Sequence, residues 1–306
     1  MSFVFLAGAR VYKLKKPLRR AYLDFTTLAA RERAVREELR LNRRLAPDVY
    51  LGARALRRLP GGELSLGAQG EVVDWLVEMR RLPEEAALDR RITAGNVTQA
   101  EVEELASLLV RFYRALPPAD VSTQAYLTRL SEEIDLTAGL LSDPAIGFDG
   151  ARLETALARL REAFAAARPA LGARVGEGRV VEGHGDLRPE HVFLTRPPVI
   201  IDCLEFSAAL RAVDPFDEIS LLGVECARLG GGWIYGMLRE RLAQGLGDEP
   251  PPELLAFFWR YRAMLRARLT LAHLTAPVVR NPERWRPLAW RYVELADRPP
   301  ITPPQG

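Results

Sequence analysis

Two segments in the second half of the chain carry ionisable residues at spacings that could do chemistry. The first reads His184-Gly185-Asp186-Leu187-Arg188-Pro189-Glu190-His191, with His191 five positions after Asp186. The second is the apolar run Pro198-Val199-Ile200-Ile201-Asp202-Cys203-Leu204-Glu205-Phe206, which places Asp202 eleven positions after His191. Phosphoryl transfer needs an acid that takes the proton of an attacking hydroxyl, and further groups that hold a metal ion against phosphate oxygens. Asp186 suits the first role, and Asp202 with His191 the second. An Asp at the end of an apolar strand costs burial energy unless a cation or hydrogen bonds meet it. A magnesium ion bridging phosphates would meet Asp202; so would a loop that it merely caps. A zinc site for hydrolysis, built on His184, Asp186 and His191, is a different chemistry for the same segment. Against it, His273 is the one histidine left and no cysteine pair has ligand spacing.

These loops need elements to position them. Phe3–Leu6 and Arg10–Lys15 have strand character around Ala7-Gly8-Ala9, a hairpin signal. Alternation in the second strand sets Val11, Lys13 and Lys15 on one face and Tyr12 and Leu14 on the other. From Thr27 to Leu45 the pattern is helical and charged, with Leu28, Val35, Leu41 and Leu45 near one stripe. Tyr50–Arg57 and Gly70–Met79 are strand candidates. Thr98 and Glu101 form a capping box for a helix that stops before Pro117-Pro118. Helical patterns follow over Thr123–Leu141 and Ala151–Ala167, short strands over Arg179–Val181, His191–Thr195 and Val199–Asp202. Four more helices are expected, over Asp214–Arg228, Trp233–Gln244, Pro252–Leu274 and Pro282–Leu295. The proline-rich tail from Arg298 cannot extend a helix.

Composition excludes some classes. A hydrophobic content of 48% in 306 residues suffices for a sizeable core, and 43 Lys+Arg against 40 Asp+Glu leave a net charge of +3, too small to point to nucleic acid. No apolar run approaches the roughly 20 residues that span a bilayer. The start lacks the basic n-region and apolar length of a secretory signal. Cys203 and Cys226 are the only cysteines, so a disulfide framework is not expected and a reducing cytoplasm is.

The loop His184–His191 resembles the His-Gly-Asp loop of the aminoglycoside phosphotransferase-like branch of the protein-kinase-like fold. Val11-Tyr12-Lys13-Leu14-Lys15-Lys16-Pro17, Leu23-Asp24-Phe25, Glu38-Leu39-Arg40-Leu41-Asn42, Met79-Arg80-Arg81-Leu82-Pro83 and Ile201–Phe206 are similar to phosphotransferase-like proteins often fused to a P-loop ATPase. No Gly-x-x-x-x-Gly-Lys-Ser/Thr stretch of such an ATPase occurs in the chain. The resemblance implies a two-lobed α+β fold: a β-rich nucleotide-binding lobe over residues 1–79, a helical lobe over 80–298 and a mobile tail over 299–306. It implies ATP with Mg2+ or Mn2+ as cofactors and transfer of the γ-phosphate to a hydroxyl of a small molecule, without nucleic acid or membrane partners. Residue by residue, Asp186 would be the catalytic base and Arg188 a cation on the transferring phosphate, while Asp202 and His191 would hold the metal. Lys13 would hold the nucleotide phosphates and Glu38 would position it, with Lys15 and Glu37 as the neighbouring assignments. Glu78 and Met79 would form the hinge that meets adenine, and His184 would brace the loop.

Two departures accompany the resemblance. His191 stands where the family has Asn, and imidazole suits manganese or zinc better than magnesium. His191 then binds a softer ion, leaves the metal to Asp202 alone, or marks lost activity. Only twelve residues precede Lys13 and their one glycine is Gly8, so the glycine-rich loop over the phosphates is expected to be missing, unless the start codon is misassigned. Together these sustain an alternative, a catalytically impaired kinase-like protein that binds nucleotide or a partner without turnover. In the helical lobe, Arg262 and Arg266 share a helix face and are expected to pair internally with Asp214 or Asp217.

Overall fold

The computed structural model describes residues 2–20, 23–148, 150–275 and 278–300. Their contacts divide into two compact units. One holds the residues up to 91 with the returning segments 184–186 and 190–211; the other holds 92–183, 187–189 and the residues from 212 onward.

The first unit is built on an antiparallel sheet. Its strands are β1 (Ser2–Ala7), β2 (Arg10–Lys15), β3 (Tyr50–Arg58), β4 (Leu64–Ser65) and β5 (Glu71–Arg80), and a helix, α1 (Leu28–Asn42), lies between β2 and β3 in the chain. Across the sheet the order is β1-β2-β5-β3-β4. Ala7 pairs with Arg10, so a two-residue turn closes the first hairpin, and Gly8 at φ 59 takes the first turn position, where glycine is required. That turn leaves no loop between β1 and β2 long enough to cover a phosphate chain. The expected strands thus form, each within about a residue of its expected ends.

Helix α1 starts where Thr27 accepts the N–H of Ala30 on its hydroxyl. Val35 and Leu39 then pack with Val49, Tyr50, Val77 and Met79 in the core of this unit. On the same buried side lie Glu38 and Asn42, at three and seven positions from Val35, both essentially without solvent exposure. Polar groups so buried must be paired. After residue 183 the chain comes back to this unit through two short antiparallel strands, β6 (Val192–Phe193) and β7 (Val199–Ile200). Backbone bonds from Leu194 N–H to Ala86 O and from Ile200 N–H to Leu45 O tie them in.

The second unit is helical: α2 (Gln99–Ala115), α3 (Thr123–Leu141), α4 (Ala151–Gly176), α5 (Pro215–Arg228), α6 (Trp233–Leu246), α7 (Pro252–Leu271) and α8 (Pro282–Ala296). The capping box of Thr98 and Glu101 is present at the start of α2. Helix α4 runs past the expected end at Ala167, straight through Pro169. Its last turns are held by buried Leu171 and by Arg174, which pairs with Asp214 and Asp248, and this packing outweighs the lost backbone bond at proline. Helix α5 is central, capped by Asp214 and flanked by α6, α7 and α8. Its acids are neutralised internally: Asp217 by a bidentate bond from Arg262 at 2.6 Å, and Glu225 by Arg228, Arg266 and the Tyr292 hydroxyl. The pairing of Arg262 with Asp217 is the internal one expected; Arg266 finds Glu225 instead. Among the described residues no helix is long and apolar enough to cross a membrane. Most of the proline-rich tail, residues 301–306, lies outside the described residues.

Candidate active site

The loop around Asp186 is fixed by its two histidines. His184 is buried, and its Nε2 lies 2.9 Å from the carbonyl of Ile201, which can only accept, so Nε2 carries the proton. Its Nδ1 then accepts the Asp186 N–H at 3.3 Å. Burial, reinforced by His191 nearby, pushes the His184 pKa down to about 4 and keeps it neutral. The expected bracing role fits, and with both ring nitrogens engaged His184 is no zinc ligand. Among the described residues no cluster of three or more His, Cys, Asp or Glu could hold a metal by itself. Gly185 has φ 85, and a Cβ there would come within 3.0 Å of the Leu204 Cβ. No other residue fits that turn without displacement.

His191 is oriented in the same manner. Its Nδ1 lies 2.9 Å from the Asp186 carbonyl, which can only accept, and therefore carries a proton. Its Nε2 lies 3.6 Å from Asp202 Oδ2. Asp202 follows β7 with φ 64, one of two described non-glycine residues in the left-handed region. Its N–H donates to the Tyr50 hydroxyl at 3.1 Å, and the next N–H, of Cys203, donates to Asn42 Oδ1 at 2.8 Å.

Opposite Asp202 stands an alternating row of charges. Lys13 Nζ is 2.5 Å from Asp202 Oδ1 and 2.6 Å from Glu38 Oε1. Lys15 Nζ is 2.5 Å from Glu38 Oε2 and also pairs with Glu205. Burial alone would neutralise Lys13 and Glu38. The mutual attraction outweighs it, holding the Lys13 pKa well above its ordinary value and that of Glu38 below. Burial likewise opposes ionisation of Asp202, but Lys13 and then His191 keep that carboxyl far below the usual range. Although side-chain atoms of Asp202 are 47% exposed, its carboxylate lies against the Lys13 ammonium and beside His191, and this proximity governs its charge.

This arrangement fits a divalent cation. Three carboxylates and two ammonium groups leave one net negative charge, and Oδ2 of Asp202 lies 3.6 Å from Nε2 of His191. Magnesium in phosphate-handling sites takes only one or two carboxylates from the protein, and a nitrogen donor tilts the choice toward manganese.

Beside the charges lies a cavity of about 260 Å³, lined mainly by Val4, Leu6, Val11, Met79, Leu82 and Ile201 and reaching Lys13 and Asp202. Val4 and Leu6 come from β1, so this strand supplies an apolar wall where a glycine-rich loop was expected to be missing. Of the two expected hinge residues, Met79 lines the cavity, whereas the Glu78 side chain takes the other face of β5 and bonds Arg54 at 2.6 Å and Tyr12 at 3.3 Å. Beyond them, Arg80 N–H bonds Val49 O and Arg81 N–H bonds Ala9 O within the sheet.

Lys13, Glu38, Asp186, His191 and Asp202 thus come together in the first unit, whereas Arg188 falls in the second. The sequence profile of the phosphotransferase enzyme family matches residues 6–258. The chain belongs to that family. An uncharacterized protein of Mycobacterium tuberculosis strain H37Rv is 31% identical over 271 residues, 88% of this chain and 53% of that protein. An uncharacterized protein of Mycobacterium bovis matches to the same extent. This phosphotransferase-family chain therefore spans about half the length of the curated relatives it matches. Ethanolamine kinase of Plasmodium vivax aligns with a TM-score of 0.50 at 11% identity, over 98% of this chain and 82% of that one. That likeness shows the fold, the two-lobed α+β architecture that the motifs implied.

Tyr50 and Asn42 are members of the site to which residue patterns gave no role, and Lys15, named as the neighbouring assignment to Lys13 because it shares that strand face, joins the row beside it.

Proposed function

We propose that this chain is an ATP-dependent phosphotransferase that moves the γ-phosphate to a hydroxyl of a small molecule. The observation that carries this reading is the convergence of Lys13 and Asp202, from segments 189 positions apart, at 2.5 Å beside an apolar cavity. Lys13, held by Glu38, would bind the phosphate oxygens in place of Asp202. Asp186 would take the proton of the acceptor hydroxyl, its loop kept in place by His184 and His191. Arg188 would offset charge on the transferring group, and the cavity walls with Met79 would take the adenine. Asp202 and His191 would hold magnesium or manganese, which when bound neutralises charge on the phosphates.

The test is direct. Melting temperature is measured with ATP, magnesium and manganese, followed by phosphate transfer across sugars, amino alcohols and aminoglycosides. Stabilisation that needs both nucleotide and metal, with transfer to at least one hydroxyl, is the expected result. No stabilisation by any combination would overturn the reading. The two-residue turn of the first hairpin and His191 favour a second one, a nucleotide-binding protein without turnover, and binding with no transfer across the panel would select it.

A further inference from the structure

Four consecutive backbone N–H groups around Asp202 are each fixed from outside their own segment. Ile201 N–H bonds His191 O at 2.9 Å and Leu204 N–H bonds His184 O at 3.0 Å, both carbonyls of the Asp186 loop. Between them, Asp202 N–H bonds the Tyr50 hydroxyl at 3.1 Å and Cys203 N–H bonds Asn42 Oδ1 at 2.8 Å. The middle two acceptors are side chains, one from the start of β3 and one from the end of α1.

They hold a conformation that does not hold itself. A non-glycine residue at φ 64 is strained and persists only where its surroundings over-determine it. Turning Asp202 out of that region would swing its carboxylate away from Lys13 and His191. Asn42 is itself fixed, since its Nδ2 donates to Glu38 O at 2.8 Å, which settles which end of the amide faces Cys203. Tyr50 and Asn42 are each 1% exposed, and neither lines the cavity. Their polar atoms sit in the core at a desolvation cost, and the Tyr50 hydroxyl and Asn42 Oδ1 each meet an N–H of this turn.

We infer that Tyr50 and Asn42 are positioning residues that hold Asp202 in its left-handed conformation and so set the affinity of the site for the metal–nucleotide complex. The inference rests on the phosphotransferase reading for its metal and on the geometry alone for the turn. Asn42 also links the turn to Glu38, the partner of Lys13, so the phosphate-holding and metal-holding ends of the site share one support.

Two measurements on Tyr50→Phe, Asn42→Ala and Asn42→Asp separate the parts. The first is Mn2+ affinity in the presence of a non-hydrolysable ATP analogue. Tyr50→Phe and Asn42→Ala are expected to weaken it about 10-fold, with metal-free nucleotide affinity unchanged, as losses around metal ligands commonly do. Asn42→Asp keeps an acceptor for Cys203 N–H but sets an oxygen in place of the donor to Glu38 O, and should restore only part of it. The second is amide exchange in ligand-free protein, expected to speed up at residues 202 and 203 in the first two variants and to remain near wild type at Ile201 and Leu204. A wild type without metal-dependent nucleotide binding sinks the phosphotransferase reading and leaves the exchange result to judge the turn. Unchanged exchange at 202 and 203 overturns the inference, and so does a wild-type metal affinity in both variants, even if they melt at lower temperature.

Discussion

At the scale of single residues, His191 permits a sharp test. If its Nε2 binds the metal, His191→Asn replaces nitrogen by oxygen, and the preference of nucleotide-dependent melting should move from manganese toward magnesium. A variant that keeps the parent's preference shows that His191 is no ligand. Asp186, His191 and Asp202 are legible in the sequence because spacing within a loop and a polar residue ending an apolar run are local signals. Tyr50 and Asn42 read as core and helix-end residues, and only the return of the chain at residue 202 gives their oxygens these N–H partners. Glu38 permits a second test. It is buried between two ammonium groups, and removing one partner of a buried ion pair commonly costs 3–5 kcal/mol. Each lysine keeps a second carboxylate, Asp202 or Glu205, so Glu38→Gln should fall at the low end, about 3 kcal/mol in urea unfolding. A change below about 1 kcal/mol, the range of exposed pairs, would show the row of charges to be far better solvated than its burial indicates.

At the scale of elements, α1 separates stability from site geometry. Its start is held by the Thr27 cap, whereas Glu38 and Asn42 sit in its last two turns against the sheet. Thr27→Ala should therefore cost about 1 kcal/mol of stability, seen as a lower denaturant midpoint, with nucleotide and metal affinities unaltered. An accompanying loss of affinity would mean that the helix shifts as a rigid rod rather than fraying at its first turn. The same helix shows what sequence could reveal. Its existence and cap were legible in Thr27 and the apolar stripe; the reason for two polar residues on its buried side was not, since periodicity marks a face without naming what meets it. Pro169 is the converse case, a strong local stop signal overridden by the packing of Leu171 and the pairing of Arg174. The hairpin of β1 and β2 was legible through Gly8. That Val4 and Leu6 wall the cavity follows from strand register, which only pairing fixes.

At the scale of the whole molecule, the order of strands and helices gave the architecture, but nothing local marks residues 184–186 and 190–211 as part of the sheet unit. Each unit buries a group whose pKa is moved across the weakly acidic range, and the two act in opposite directions. His184 in the first has a pKa of about 4 against the usual 6.5 because burial disfavours its cation, so its contribution is full above pH 6.5 and is lost as pH falls toward 4. Asp214 in the second is raised from 3.8 to about 6, because burial outweighs Arg174, whose charge it shares with Asp248. The folded protein therefore takes up this proton before the unfolded chain does, and stability is gained as pH falls from 6 toward 3.8. At about 1.4 kcal/mol per pH unit of separation, each effect amounts to about 3 kcal/mol. The other shifted carboxyls, Asp24, Glu37, Glu38, Asp202 and Glu225, are lowered and matter below about pH 4.5, where protonation of the unfolded chain starts to drain stability. Between pH 4.5 and 6.5 the wild type should consequently show a nearly flat stability profile, the product of cancellation. Substitution at either site should tilt it: Asp214→Asn should make urea stability fall steeply as the solution is acidified, and His184→Asn should make it rise. The slopes carry the test, because each variant also loses hydrogen bonds that lower stability at every pH. Parallel profiles for all three proteins would mean that neither group is held away from its ordinary charge state by burial.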